Sequence, residues 1–237
     1  CCLAVAGAIP TDLINQVRGS ALTALSDGAD TAAPTPPDEG VRTAEQLPFH
    51  SGRECQSFPR LESARLLMVW PTAAASDPIG VAGADLATTI LSEGRRSRLV
   101  QRLREDLQIV ESIDMDVTTL EQGSLVMLEA CCPEDQLSRV EQEIREELQR
   151  SAEEPVLEEE RKRAFQLVGN GYRFSLEAPG SVAGCAGSQA VWGRQRQLLE
   201  PLKDLEEWSA TALQERVMQR LQADQACTLI ARPSESS

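Results

Sequence analysis

Residues 90–111 read ILSEGRRSRLVQRLREDLQIVE, and the fold turns on how this stretch divides. Ile90 and Leu91 end one apolar helical run, and Gly94 breaks it. Ser97, Arg98 and Leu99 then open a second amphipathic helix, from about Ser97 to Leu107, that carries Leu103, Arg104 and Glu105. Arg95, Arg96, Arg98, Arg102 and Arg104 fall within ten positions of a chain whose formal net charge is −14. Local chemistry here opposes the global charge. Two readings stay open for these arginines: a solvated helix face with internal ion pairs, such as Arg102 with Asp106, or a face that meets a ligand.

The surrounding pattern alternates short apolar runs with longer periodic ones. Residues 64–70 (ARLLMVW) predict a strand closed by Pro71, and residues 79–92 a helix burying Val81, Leu86, Ile90 and Leu91. Two strands follow, at 108–118 and 124–132, joined through Glu121, Gln122 and Gly123. From Glu134 to about Ser151, Leu137, Val140, Ile144 and Leu148 recur at helical spacing. Glu141 with Arg145 and Glu146 with Arg150 are i,i+4 pairs on the wet side. Pro155 opens a long helix to about Glu177, where Glu158, Glu159 and Glu160 suit the positive helix end. Further helices are predicted over 179–192 and from Ser209 to Leu221, and a last strand over 227–231. Gly169, Gly171, Gly184 and Gly187 read as sites of close helix packing, and Trp70, Trp192 and Trp208 as core anchors. The order implies an α+β fold: an antiparallel sheet with helices packed on one face.

Residues 1–25 read differently. An apolar run at 2–8 predicts a strand, and Thr11 caps a helix with Leu13, Ile14, Val17, Ala21 and Leu25 on one face. One strand and one helix do not make a core, so they are expected to close an upstream domain, with the chain beginning inside a longer reading frame. Residues 26–52, rich in Pro, Asp, Gly and Thr, read as an interdomain linker, and residues 53–237 as the main domain.

Composition narrows the function classes. A pI near 4.6 argues against nucleic acid and anionic membrane surfaces as partners. No apolar run approaches the roughly 18 residues that span a bilayer. Cys1, Cys2, Cys55, Cys131, Cys132, Cys185 and Cys227 form no C-x-x-C and are odd in number. Free, mostly buried thiols in a soluble protein of a reducing compartment such as the cytoplasm are expected. With His50 as the one histidine, neither a Ser/His or Cys/His triad nor a two-histidine zinc site is available.

The strand ARLLMVWP, then ILSEG, Ser97-Arg98-Leu99 and Leu103-Arg104-Glu105, the hairpin through Gln122-Gly123, the Pro133-Glu134 helix start and Pro155-Val-Leu-Glu-Glu-Glu together resemble the C-terminal half of insulinase/pitrilysin-type zinc metallopeptidases. That group of inverzincins includes mitochondrial processing peptidase. The resemblance implies two similar α+β halves closing around a peptide, with zinc held by H-x-x-E-H in the first half. This chain has no H-x-x-E-H. It is therefore expected to hold no metal, to contribute no catalytic residue and to be inactive alone.

The family's second half often supplies an Arg and, seven residues later, a Tyr that reach the substrate. Arg104 matches the Arg, but Glu111 stands in place of the Tyr, where a carboxylate repels a developing oxyanion. Arg98, Arg104 and Glu111 are the substrate-binding candidates. The expected function is the non-catalytic, chamber-enclosing and peptide-binding half of a zinc metalloendopeptidase. Zinc and catalysis then come from another domain or subunit, in a homo- or heterodimer. An inactive paralogue acting as a scaffold or partner-binding subunit is the alternative.

Overall fold

The computed structural model describes residues 2–21 and 48–234. Most of the predicted linker, and Leu25 of the first predicted helix, lie outside the described residues. The chain divides into two compact units, Cys1–Thr43 with Asn170–Glu200, and Ala44–Gly169 with Pro201–Ser237.

The larger unit is built on a five-stranded sheet: β1 (Gly52–Phe58), β2 (Ala64–Thr72), β3 (Ser112–Thr118), β4 (Ser124–Cys132) and β5 (Cys227–Pro233), in the order β1-β5-β2-β4-β3. Three of its pairings are antiparallel, and β1 joins β5 in parallel, so the predicted antiparallel sheet is in fact mixed. β1 carries no apolar alternation and all seven of its residues are exposed, which is why GRECQSF does not announce a strand. Pro71 does not close β2, which continues to Thr72. Pairing with β5 ends at Val69, so the missing proline N–H interrupts no ladder on that side.

Alternation along the strands sends Ala64, Leu66, Met68, Trp70, Ile113, Val126, Leu128 and Ala130 to one face, where they are buried. Helices of this unit cover that face: α2 (Pro78–Ser92), α3 (Leu137–Glu153), the first part of α4 (Glu158–Ser175), α6 (Glu200–Glu206) and α7 (Ala210–Arg216). The α+β layering with helices on one face is as expected. α3 buries Leu137, Val140, Ile144 and Leu148, the predicted stripe. Of the predicted surface pairs, Glu141–Arg145 forms at 3.4 Å, whereas Arg150 takes Glu147 at 2.6 Å in place of Glu146.

The helix predicted to Leu221 stops at Arg216, and α6 lies where no helix was expected. Trp208 is buried between them, and its Nε1 donates to the Ile79 carbonyl at 2.8 Å. Its ring lies where a Cβ on Gly83 of α2 would fall, so only glycine permits this approach. Trp70 Nε1 donates to the Gln222 carbonyl at 2.7 Å.

The smaller unit contains α1 (Leu13–Arg18), the end of α4 and α5 (Pro179–Val191). Residues 2–8 form no strand, because no described strand pairs with them and an unpaired segment has no ladder. α1 begins after Asp12 rather than Thr11 and buries none of its residues, and Ile14 is 66% exposed. Trp192 is also exposed and anchors no core. α4 runs unbroken through Gly169, which is buried, and Gly171, which has open space around it, as does Gly184; Gly187 meets a close neighbour, Ala4. Close packing therefore explains only part of the glycine pattern.

Candidate functional site

The arginine segment starts from a turn. Gly94 has φ +78°, and its carbonyl accepts from both the N–H (3.1 Å) and Oγ (2.6 Å) of buried Ser97. This is the predicted glycine break. The following helix is wider than an α-helix: Val100–Asp106 is a π-helix, and the Leu107 N–H reaches the Arg102 carbonyl at 3.1 Å. Leu99, Val100 and Leu103 hold it to the core. Gln108, at φ +54°, turns the chain out of it, with the Ile109 N–H on the Leu103 carbonyl.

This geometry redistributes the side-chain pairs. In a π-helix positions five apart align, and Gln101 Nε2 donates to Asp106 Oδ1 at 2.7 Å. The predicted Arg102–Asp106 pair does not form; Arg102 reaches across to Glu143 of α3 at 2.9 Å. Arg98 is turned inward. Its Nε and Nη2 donate to the two carboxylate oxygens of Glu160 at 2.8 and 2.7 Å, and Nη2 also reaches the Pro155 carbonyl at 3.4 Å. Glu160 in turn accepts from the Leu157 N–H at 2.9 Å, closing the N-terminal turn of α4. Burial pushes the Glu160 carboxyl up, but the Arg98 and Leu157 donors outweigh it and hold the group below the usual range. The Glu160 hydrogen bond raises Arg98 in the same sense.

Arg104 has a different setting. Its side chain is 42% exposed, and Nε and Nη2 donate to Glu105, its neighbour in sequence, at 3.2 and 3.1 Å. Arg95, at 82% exposure, lies 3.8 Å from the same Glu105 oxygen. Nη1 of Arg104 stands outside this pairing.

Glu111 sits at the entrance to β3. Its N–H donates to the Cys131 carbonyl at 2.8 Å, although Cys131 is already the register partner of Ser112. Two residues thus oppose one, as in a β-bulge, which re-aims the Glu111 side chain. Its carboxylate accepts from Ser63 Oγ at 2.8 Å and from the Cys131 thiol at 3.4 Å. No hydrogen bond or ion pair joins Arg98, Arg104 and Glu111 to one another. Glu143 and Ser63, which partner Arg102 and Glu111, escaped the sequence reading, and Glu160 is read there as an acidic residue at the positive helix end, not as the partner of Arg98. Only Glu160 carried a local signal, at the third position of its helix.

The donor set does not fit a zinc site. His50 is exposed, and among the described residues no three His, Cys, Asp or Glu side chains converge. Cys2, Cys55, Cys131, Cys132, Cys185 and Cys227 are free thiols, but Cys2, Cys55 and Cys227 are exposed, against the expected burial. No helix among the described residues is long and apolar enough to cross a membrane.

Comparison with known proteins agrees with this architecture. Residues 1–167 match the family described as the peptidase M16 inactive domain. A search of the curated proteins found no match. Among solved structures, a protease from Helicobacter pylori superposes with a TM-score of 0.74 at 14% identity, over 96% of this chain and 54% of that one. The peptidase M16 inactive domain from Pseudomonas fluorescens gives 0.66 at 15%, over 79% and 45%. A chain of complex III from Candida albicans gives 0.66 at 14%, over 78% and 46%. The chain spans about half the length of these solved relatives. It belongs to the M16 (insulinase-type) peptidase family, as an inactive domain.

Proposed function

We propose that this domain is the chamber-enclosing, peptide-binding half of a zinc metalloendopeptidase whose zinc and catalytic groups come from another domain or subunit. The observation that carries the reading is the match to the family's inactive domain over residues 1–167, in a sequence with one histidine. The partner half would hold the zinc and supply the hydrolytic chemistry. Arg104 is the group of this chain best suited to hold a peptide carbonyl, because it is half-exposed and keeps Nη1 outside its Glu105 pair. Arg98 belongs to the scaffold through Glu160. Glu111 supports a second reading, an inactive paralogue that binds a partner as a scaffold. The Glu111 carboxylate already accepts from Ser63 and Cys131 and lacks the phenol O–H that a Tyr would offer an oxyanion.

Co-expression with an H-x-x-E-H-bearing family member from the same genome tests both. Hydrolysis of a casein-derived peptide by the pair, and by neither alone, is expected. A complex without any gain in hydrolysis selects the scaffold reading. Peptide hydrolysis by this chain alone with added zinc overturns both.

A further inference from the structure

The two edges of the sheet are finished differently. On β3 the Met115 N–H donates to Ser92 Oγ of α2 at 2.9 Å, so a helix side chain takes up a backbone donor at that edge. β1 forms the other edge, and among the described residues no strand lies beyond it. The Gly52 N–H donates to the Ala226 carbonyl at 3.2 Å, and the Phe58 carbonyl accepts from the Ser234 N–H at 3.1 Å, both on the β5 side. Successive residues of a strand turn their backbone groups to opposite sides, so the N–H and C=O groups of Arg53, Cys55 and Ser57 point outward. All seven residues of β1 are exposed. Its register with β5 runs without a bulge from Gly52 to Phe58, and it holds neither proline nor lysine, the usual devices that blunt an edge. Arg53, its one cation, is drawn toward α3 by Glu141 at 2.9 Å.

We propose that β1 pairs antiparallel with β1 of a second copy of this chain, about a twofold axis at Cys55. Only residues with outward backbone groups can bond across this seam, and charge then selects among the registers. Centring the pair on Arg53 or on Glu54 sets like charges opposite each other. Centring further along, at Gln56 or Ser57, uses fewer of the outward groups. Centring on Cys55 uses all three, with Arg53 opposite Ser57 of the second copy and Cys55 opposite Cys55, for about six hydrogen bonds. The residues between them set Glu54 opposite Gln56, an amide that already donates to the Glu54 carboxylate at 2.6 Å within one chain. At each end Phe58, 39% exposed, falls opposite Gly52, where a Cβ would meet nothing within 4 Å. An aromatic ring laid over an edge glycine is a favourable cross-strand pair. A seam of this size buries little surface, so the dimer is weak and reversible. The net charge of −14 on each copy opposes it, and salt therefore strengthens it.

Sedimentation velocity of the intact protein at low and high salt tests this. The expected result is a monomer–dimer equilibrium within about 1–300 μM protein that shifts toward dimer as salt rises. Cys55→Pro removes an outward N–H and no bond to β5, so it should abolish the dimer while leaving the far-UV spectrum and Tm close to those of the parent. Gln56→Glu sets carboxylates opposite each other at both ends of the seam and should weaken the dimer roughly three- to tenfold. Glu54→Gln combined with Gln56→Glu keeps the parent charge, sets amide against carboxylate again and should restore it. If Cys55→Pro fails to fold, the two Gln56 variants decide. A monomer throughout that range, a dimer that persists in folded Cys55→Pro, or a double variant no tighter than Gln56→Glu alone overturns the proposal. No zinc-bearing half enters the measurement, so its outcome is independent of the assignment above.

Discussion

The Arg98 guanidinium holds both carboxylate oxygens of Glu160, a residue 62 positions later, and so ties the arginine helix to the first turn of α4. Their side chains are 13% and 19% exposed, intermediate between a surface pair and a buried one. Removing one partner should therefore destabilise the fold by roughly 1–3 kcal/mol, between the limits for exposed and buried pairs. Arg98→Lys loses the two-pronged geometry and should recover only part of it. Arg104→Ala, by contrast, should leave Tm within the error of calorimetry while weakening peptide capture by the assembled protein. Thermal unfolding and peptide titration on both variants would check this, and a fall in Tm for Arg104→Ala would count against its role as a ligand group.

Gly83 and Trp208 make a second, independent prediction. The indole covers α2 at the place a Cβ would occupy and is fixed by its hydrogen bond to Ile79. Gly83→Ala must displace the ring, an overpacking cost of about 1–3 kcal/mol. The expected outcome is a lower denaturation midpoint and a red-shifted tryptophan emission. Gly171→Ala, with open space around it inside α4, should instead stabilise by roughly 0.5–1 kcal/mol through helix propensity. Equal effects at the two glycines would contradict the packing described.

These contrasts mark where the sequence was legible. α3 was readable because Leu137, Val140, Ile144 and Leu148 all face one core, so burial writes its period into the chain. The β2 and β4 strands were readable for the same reason. β1 was not, because an exposed edge strand carries no apolar alternation. The π-helix escaped because the spacing of Leu99, Val100 and Leu103 fits an α-turn as well. Among the site residues, Arg98 and Arg104 look alike in sequence. What separates them is Glu160, supplied by α4, and a contact over that separation has no local signature. Glu111 stood out only as a departure from a family pattern, and the bulge that orients it depends on pairing with Cys131.

Thiol reactivity offers a direct check of the sheet. Cys132 is fully buried, and burial, then the neighbouring Cys131 and acidic charges, push its thiol up to about 11. Burial and the hydrogen bond to Glu111 also raise Cys131. Both should resist iodoacetamide in the native protein, since the thiolate is the reacting species. Cys2, Cys55 and Cys227 are exposed, the last two on β1 and β5, and should be labelled first. Mass mapping of the modified peptides would show the order, and early labelling of Cys132 would argue against its placement on the helix-covered face.

Asp85 of α2 gives the fold a pH dependence opposite to that of most carboxylates. Burial, and then the charge of Asp116 on β3, raise it from 3.8 to about 6. The folded state therefore holds this proton more tightly than the unfolded chain does. Stability from this group is greatest below pH 3.8 and is lost as pH rises through about 6. At neutral pH the ionised form costs on the order of 2–3 kcal/mol. Asp85→Asn should remove most of that cost, raising Tm at pH 7 and leaving little difference near pH 4. Glu160 and Glu141 act in the other direction, since both are held below the usual carboxylate range and lose their stabilisation as acid protonates them. The difference between Asp85→Asn and the parent protein, followed by calorimetry from pH 4 to pH 8, isolates Asp85 because the other carboxylates are common to both. A difference that stays constant with pH would mean that Asp85 is not strained by its ionisation.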